Sequence, residues 1–155
     1  MSKPVRFALA GFGAWGKFHA QSIAANPDAQ LVAIAAPSEA SREEARRLHP
    51  GAQIFSDSAA MIAEADFDII DIATPSHTHP ALAVAAMERG KHVLLEKPMA
   101  TTLDDCKTIV AAALPTIGLE LGDFADSPWI VTAYLVAATT VTLPGWSVSL
   151  STSSV

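Results

Sequence analysis

A chain of 155 residues is long enough for one domain with a real core. It is 50% hydrophobic and only 17% charged, and its formal net charge of −6 leaves no basic footprint for nucleic acid or for an anionic membrane. Cys106 is the sole cysteine, which excludes an intrachain disulfide, and Met1-Ser2-Lys3-Pro4 leads straight into a strand instead of a signal region; both point to the cytoplasm.

The first apolar run, Val5-Arg6-Phe7-Ala8-Leu9-Ala10, reads as a strand and is followed by Gly11-Phe12-Gly13-Ala14-Trp15-Gly16. The glycines open a helix-compatible stretch over residues 14–25. A dinucleotide pyrophosphate needs this kind of turn. The first glycine permits the tight bend, the second lets backbone approach phosphate, and the third lets helix pack on strand. The free N–H groups and the positive dipole end of the helix then face the anion. Glycine turns are common, so the weight lies in the strand–turn–helix context.

Residues 31–35 form a second buried-strand run, and residues 38–48 are charged and helix-favouring, with Glu43, Glu44, Arg46 and Arg47 on a solvated face. Residues 59–64 read as a short helix and residues 67–73 as a strand. Pro80 suits the first turn of a helix over 80–89, and Gly90 its exit. A strand over 92–96 follows, and Thr102-Leu103-Asp104-Asp105 can cap a helix running to Ala113. Alternating strands and helices imply parallel βαβ units, hence an α/β fold with a doubly wound sheet. Every Lys and Arg lies at or before Lys107, and residues 127–155 carry no charge. Residues 128–146 are rich in Val, Thr, Ala and Leu, which reads as strands or an aggregation-prone segment, and are too threonine-rich for a membrane span. The organisation expected is a dinucleotide-binding domain over 1–113 and an atypical tail over 114–155.

Two further segments fall just past strand ends, where open α/β sheets hold their ligands. In Ala73-Thr74-Pro75-Ser76-His77-Thr78-His79-Pro80, Thr74 and Ser76 can line a cofactor and His79 can face a reacting centre. The simpler reading is a turn with Thr78 or His79 capping the next helix. In Glu96-Lys97-Pro98, the lysine can pair with a polar substrate group or shuttle a proton, against a plain solvated lysine at a strand exit. His19, one turn into the first helix, is by itself more often structural than functional. No metal-ligand cluster is read from the chain.

Gly11-x-Gly13-x-x-Gly16-x-x-His19, the 73–79 segment and Glu96-Lys97-Pro98, in this order and separation, resemble the cofactor domain of the Gfo/Idh/MocA oxidoreductase family. The resemblance covers about residues 4–113. It implies a Rossmann fold, a nicotinamide cofactor across the strand ends, and hydride transfer to or from a hydroxyl-bearing carbon of a sugar, inositol or related polyol. On this resemblance the cofactor contacts fall on Gly11, Phe12, Gly13, Ala14, Trp15, Gly16, Thr74, Pro75, Ser76, His77, Glu96 and Lys97. Lys97 and His79 become the catalytic candidates, and Lys97–Pro98 a candidate cis bond. A homo-oligomer is compatible with it.

The chain departs from the family in two places. Where an NAD-binding unit usually places a carboxylate, about 20 residues after the last glycine, the chain reads Ile34-Ala35-Ala36-Pro37-Ser38, with no acid until Glu39. Ser38, Ser41 and Arg42 can then take a ribose 2′-phosphate, so NAD(P) leans towards NADP; alternatively Arg42 is one more exposed helix residue. The family also continues into a second α/β domain that supplies most of the substrate pocket. Here the resemblance and the basic residues stop together near Ala113, which raises the expectation of a truncated or frame-shifted reading. Three functions stand at this point: an oxidoreductase of which the chain holds the cofactor half, a non-catalytic dinucleotide-binding module, and an inactive fragment.

Overall fold

A computed structural model describes residues 3–121 of the chain. Along the chain run β1 (Val5–Ala10), α1 (Ala14–Ala25), β2 (Ala29–Ala35), α2 (Glu39–Leu48), β3 (Gln53–Phe55) and α3 (Ser58–Glu64). β4 (Ile69–Ile72), a 3-10 turn at Ser76–Thr78, α4 (His79–Glu88), β5 (His92–Leu95) and α5 (Leu103–Leu121) follow. All strand pairs are parallel and the order is β3-β2-β1-β4-β5. That is the doubly wound, Rossmann-type α/β fold expected from the alternating pattern.

Period-two alternation puts successive side chains on opposite faces, and both faces are buried. Ala8, Ala10, Ala33, Ala35, Ile70 and Ile72 pack with Met61 and Ile62 of α3, Ala83 and Ala86 of α4, and Ile109 of α5. Leu9 and Ile34 point the other way, onto Ala20 and Ile23 of α1 and Ala45 of α2. The alanines let helices lie close to the sheet. Each fully buried Leu or Ile contributes about 1.5–3 kcal/mol. β1 and β4 are neighbours, and the chain departs from them in opposite directions, to β2 and to β5. This switch point opens a crevice at the carboxyl ends of the strands.

Backbone bonds carry the pairing past the strand ends: Gly11 N–H to Ala35 O, Ala73 N–H to Ala10 O and Glu96 N–H to Ile72 O, all 2.9–3.0 Å. The turns after β1, β2, β4 and β5 are thereby brought to one edge. Ser38 Oγ caps α2 by accepting from Ser41 N–H, Asp57 caps α3 through Ala60 N–H, and Thr102 caps α5 through Asp105 N–H. Gly90, at φ +68°, ends α4 as expected.

Three features differ from the sequence reading. β3 was not anticipated; three residues are too few to show an alternation. The 3-10 turn interrupts the approach to α4, and Thr78 Oγ1 donates to Pro75 O instead of capping that helix. α5 continues through Pro115, although a proline costs a helix interior one hydrogen bond. Residues Met1–Ala113 form one compact unit. The strand-rich segment expected over 128–146 lies outside the described residues. Among the described residues no helix is long and apolar enough to cross a membrane.

Candidate functional site

The three glycines of the β1–α1 turn meet three different surroundings. Gly11 has φ +96°, and a Cβ there would lie 2.7 Å from Ala73 O. A Cβ on Gly16 would lie 2.0 Å from Gly11 O, so the helix can seat on the turn only without one. A Cβ on Gly13 would meet nothing within 4 Å. Gly13 is the N-cap of α1 and no side chain caps that helix, in contrast to α2, α3 and α5. The uncapped first turn of α1 and the open space at Gly13 look into one cavity of about 690 Å³. That volume lies within the roughly 300–1,000 Å³ of small-molecule sites.

Gly11, Phe12, Gly13, Ala14 and Trp15 line this cavity from the β1–α1 turn. Ala36, Pro37, Ser38 and Ser41 line it after β2, and Thr74, Pro75 and Thr78 after β4. Thr74 Oγ1 and Thr78 Oγ1 share a 2.7 Å hydrogen bond. The side chain of Phe12 is 2% exposed and packs in the core edge-on to His49, so its ring belongs to the fold. Gly16, Arg42, Ser76, His77, Glu96 and Lys97 do not line the cavity. Ser56, Asp57 and Ser58 do line it; they follow β3, and without that strand nothing in the sequence marks them.

His79 requires a correction. It is 1% exposed, its Nε2 lies 2.8 Å from Thr74 O, and its Nδ1 lies 3.1 Å from Pro98 O and 3.3 Å from Met99 O. Backbone carbonyls lie beside both ring nitrogens, and a neutral ring donates to one side of them; buried between the β4 and β5 exits, it has no open face for a reacting centre. Arg42 is also committed: its guanidinium donates to Ala36 O, Pro37 O and the Glu39 carboxylate. Hydrogen bonds from Arg46, then Arg42, hold the Glu39 carboxyl below its usual range.

Lys97 is exposed, with Nζ 5.5 Å from the centre of the Trp15 ring, and the Lys97–Pro98 bond is cis. Its backbone N–H donates to Glu96 Oε2 at 3.0 Å. Glu96 Oε1 lies 3.2 Å from His19 Nε2, and His19 Nδ1 lies 2.7 Å from Oδ2 of the buried Asp71. Burial pushes the Asp71 carboxyl up, while its bond to His19 pulls it down. Asp71 Oδ1 has no hydrogen-bond partner among the described residues. The glycine spacing and the Glu-Lys-Pro segment were visible in the sequence; the link through Asp71 was not.

A family model described as an oxidoreductase family with an NAD-binding Rossmann fold matches residues 5–115. The chain is 36% identical over 109 residues to scyllo-inositol 2-dehydrogenase (NADP(+)) IolU of Bacillus subtilis, covering 70% of this chain and 33% of that protein. It is 30% identical over 108 residues to scyllo-inositol 2-dehydrogenase (NAD(+)) of the same organism, covering 69% and 32%. The structure of the WlbA dehydrogenase from Bordetella pertussis, in complex with NADH and UDP-GlcNAcA, superposes with a TM-score of 0.68 at 37% identity, covering 72% of this chain and 34% of that one. The chain spans about a third of the length of the curated relatives it matches.

Proposed function

We propose, from the premise that this chain belongs to the Gfo/Idh/MocA oxidoreductase family, that it binds a nicotinamide dinucleotide in the cavity at the strand ends. The further proposal is that it serves hydride transfer to or from a sugar, inositol or related polyol. The observation that carries this reading is the pairing of an uncapped α1 N-terminus with open space at Gly13. An anion there meets free amide donors and the positive end of the helix dipole. The residues fit the group: the first turn of α1 would hold the pyrophosphate, and Thr74 and Pro75 would flank the nicotinamide half. When bound, the nicotinamide supplies or accepts the hydride.

Lys97 is the polar group proposed to meet the substrate hydroxyl. Its exposed ammonium, beside Trp15, can donate a hydrogen bond and stabilise charge on that oxygen. His79 is not part of this set. At the ribose end, NADP(H) is the proposed preference. Ala36 offers no carboxylate, and Ser38 and Ser41 offer hydroxyls to the cavity; Arg42, held by Ala36 O, Pro37 O and Glu39, does not line it and would have to leave Glu39 to meet a phosphate. The dinucleotide-binding unit is proposed to span residues 1–113.

Titration with NADH and NADPH, followed by cofactor fluorescence, tests the reading. Gly13→Val places a branched side chain where phosphate must approach, and a large loss of affinity is expected. Unchanged affinity in a folded variant would sink it.

A further inference from the structure

Asp71, His19 and Glu96 are far apart in the chain and come from β4, α1 and the turn after β5, yet they stand in one line that ends at Lys97. Asp71 is buried and anchors His19 through Nδ1. The other ring nitrogen lies at ion-pair distance from Glu96 Oε1, and the second oxygen of that carboxylate accepts the backbone N–H of Lys97. The His19 side chain is only 20% exposed, and the Glu96 side chain 26%. The line is therefore partly shielded from water, where a charge-assisted contact keeps more of its strength. Two carboxylates flank one imidazole, so the ring can donate to both only when it carries both protons.

We infer that His19 is a positioning residue for Lys97. Held by Asp71, it fixes the Glu96 carboxylate, which in turn holds the main chain of the lysine. The inference rests on the reading of Lys97 as the substrate-facing group. It extends that reading to a residue that touches neither cofactor nor substrate. The same helix reaches Lys97 a second time, because Trp15 lies under its ammonium. α1 therefore contacts the lysine both at its backbone, through Glu96, and at its side-chain tip.

The experiment uses the full chain labelled with 15N, with the amide resonance of Lys97 as readout and affinity for NADPH as an independent check. A carboxylate acceptor moves an amide proton downfield. His19→Phe keeps the ring volume and removes both polar contacts; the Lys97 amide is expected to shift upfield, with NADPH affinity kept. His19→Gln retains a donor within reach of Glu96 and is expected to return the Lys97 amide towards its original position. An unmoved Lys97 amide in His19→Phe would overturn the inference. So would equal displacement in both variants together with the amides of β4 and α1, which would mark a purely structural histidine. If His19→Phe does not fold, Glu96→Gln decides: loss of charge at Glu96 must move both the Lys97 amide and the His19 ring signals, and failure to do so also overturns it. Absence of NADPH binding by the unaltered chain would remove the parent reading while leaving the amide result to judge the network.

Discussion

Gly13 and Gly16 stand three positions apart and are needed for unrelated reasons. At Gly16 a methyl group meets a carbonyl at 2.0 Å, so Gly16→Ala must push helix and turn apart. Overpacking of this kind costs about 1–3 kcal/mol, and the melting temperature followed by circular dichroism is expected to fall by at least about 2 °C. A melting temperature unchanged from the parent would mean that the turn yields easily. At Gly13 the space is open, so its substitution is expected to affect binding while the fold persists. These roles are legible in the sequence because glycine spacing is a local property. The role of His79 is not: its acceptors at Pro98 and Met99 are main-chain carbonyls 19 and 20 positions away, and a carbonyl leaves no trace in residue identity. His79→Ala is expected to remove the donor that serves these part-buried carbonyls and to empty a buried site, at about 1–3 kcal/mol for the hydrogen bond lost. A denaturant midpoint equal to that of the parent would contradict this.

Among the elements, the β2–α2 turn is the proposed selector between the two ribose forms. Ala36→Asp introduces a carboxylate beside Ser38, which repels a 2′-phosphate and can accept from ribose hydroxyls. The preference for NADPH over NADH is expected to reverse, by roughly ten- to hundredfold for a charged hydrogen bond of about 1.5–3 kcal/mol. An unaltered chain that already prefers NADH would refute the proposed preference. β4 carries a second, opposed pair of effects. Just before it, Asp68 accepts from the backbone N–H and side chain of Arg6, and that guanidinium holds its carboxyl down to about 2 from an ordinary 3.8. A depressed carboxyl adds stability above its unfolded value, and that stability is lost as pH falls from about 4 to 2. The Asp68 side chain is 41% exposed, so solvent screening limits the pair to at most about 1 kcal/mol. Asp68→Asn is expected to be less stable than the parent at pH 7 and to approach it at pH 2, as read by thermal melts across that range; a constant gap would argue against the pair. Asp71, inside the strand, is raised instead, so its contribution runs the other way and fades as pH rises. Most element types were readable from hydrophobic period and caps, since Val5–Ala10 and Ala14–Ala25 came out with the bounds their patterns imply. β3 was not, because three residues are too few to show an alternation, and a proline at 115 gives no local sign that α5 runs on.

At the scale of the whole molecule, the cavity proposed for the dinucleotide measures about 690 Å³ while Lys97 stands in solvent. Hydride transfer needs a substrate carbon held against the nicotinamide with water kept out, and positioning supplies a large share of the rate. The described residues build no enclosure around Lys97. The chain by itself is therefore expected to bind cofactor and to show little or no dehydrogenase turnover with sugars and inositols, measured by absorbance of the reduced cofactor. Robust turnover that disappears in Lys97→Ala would show that the site is completed in another way. α1 begins at the turn proposed to face phosphate, carries Trp15 under the Lys97 ammonium, and by the inference above steadies that lysine through His19. Two loads on one rigid rod cannot be tuned apart, and linkage makes the traffic between them reciprocal. If a substrate sits at Lys97 as proposed, whatever factor a bound dinucleotide applied to its affinity, that substrate would return to the dinucleotide.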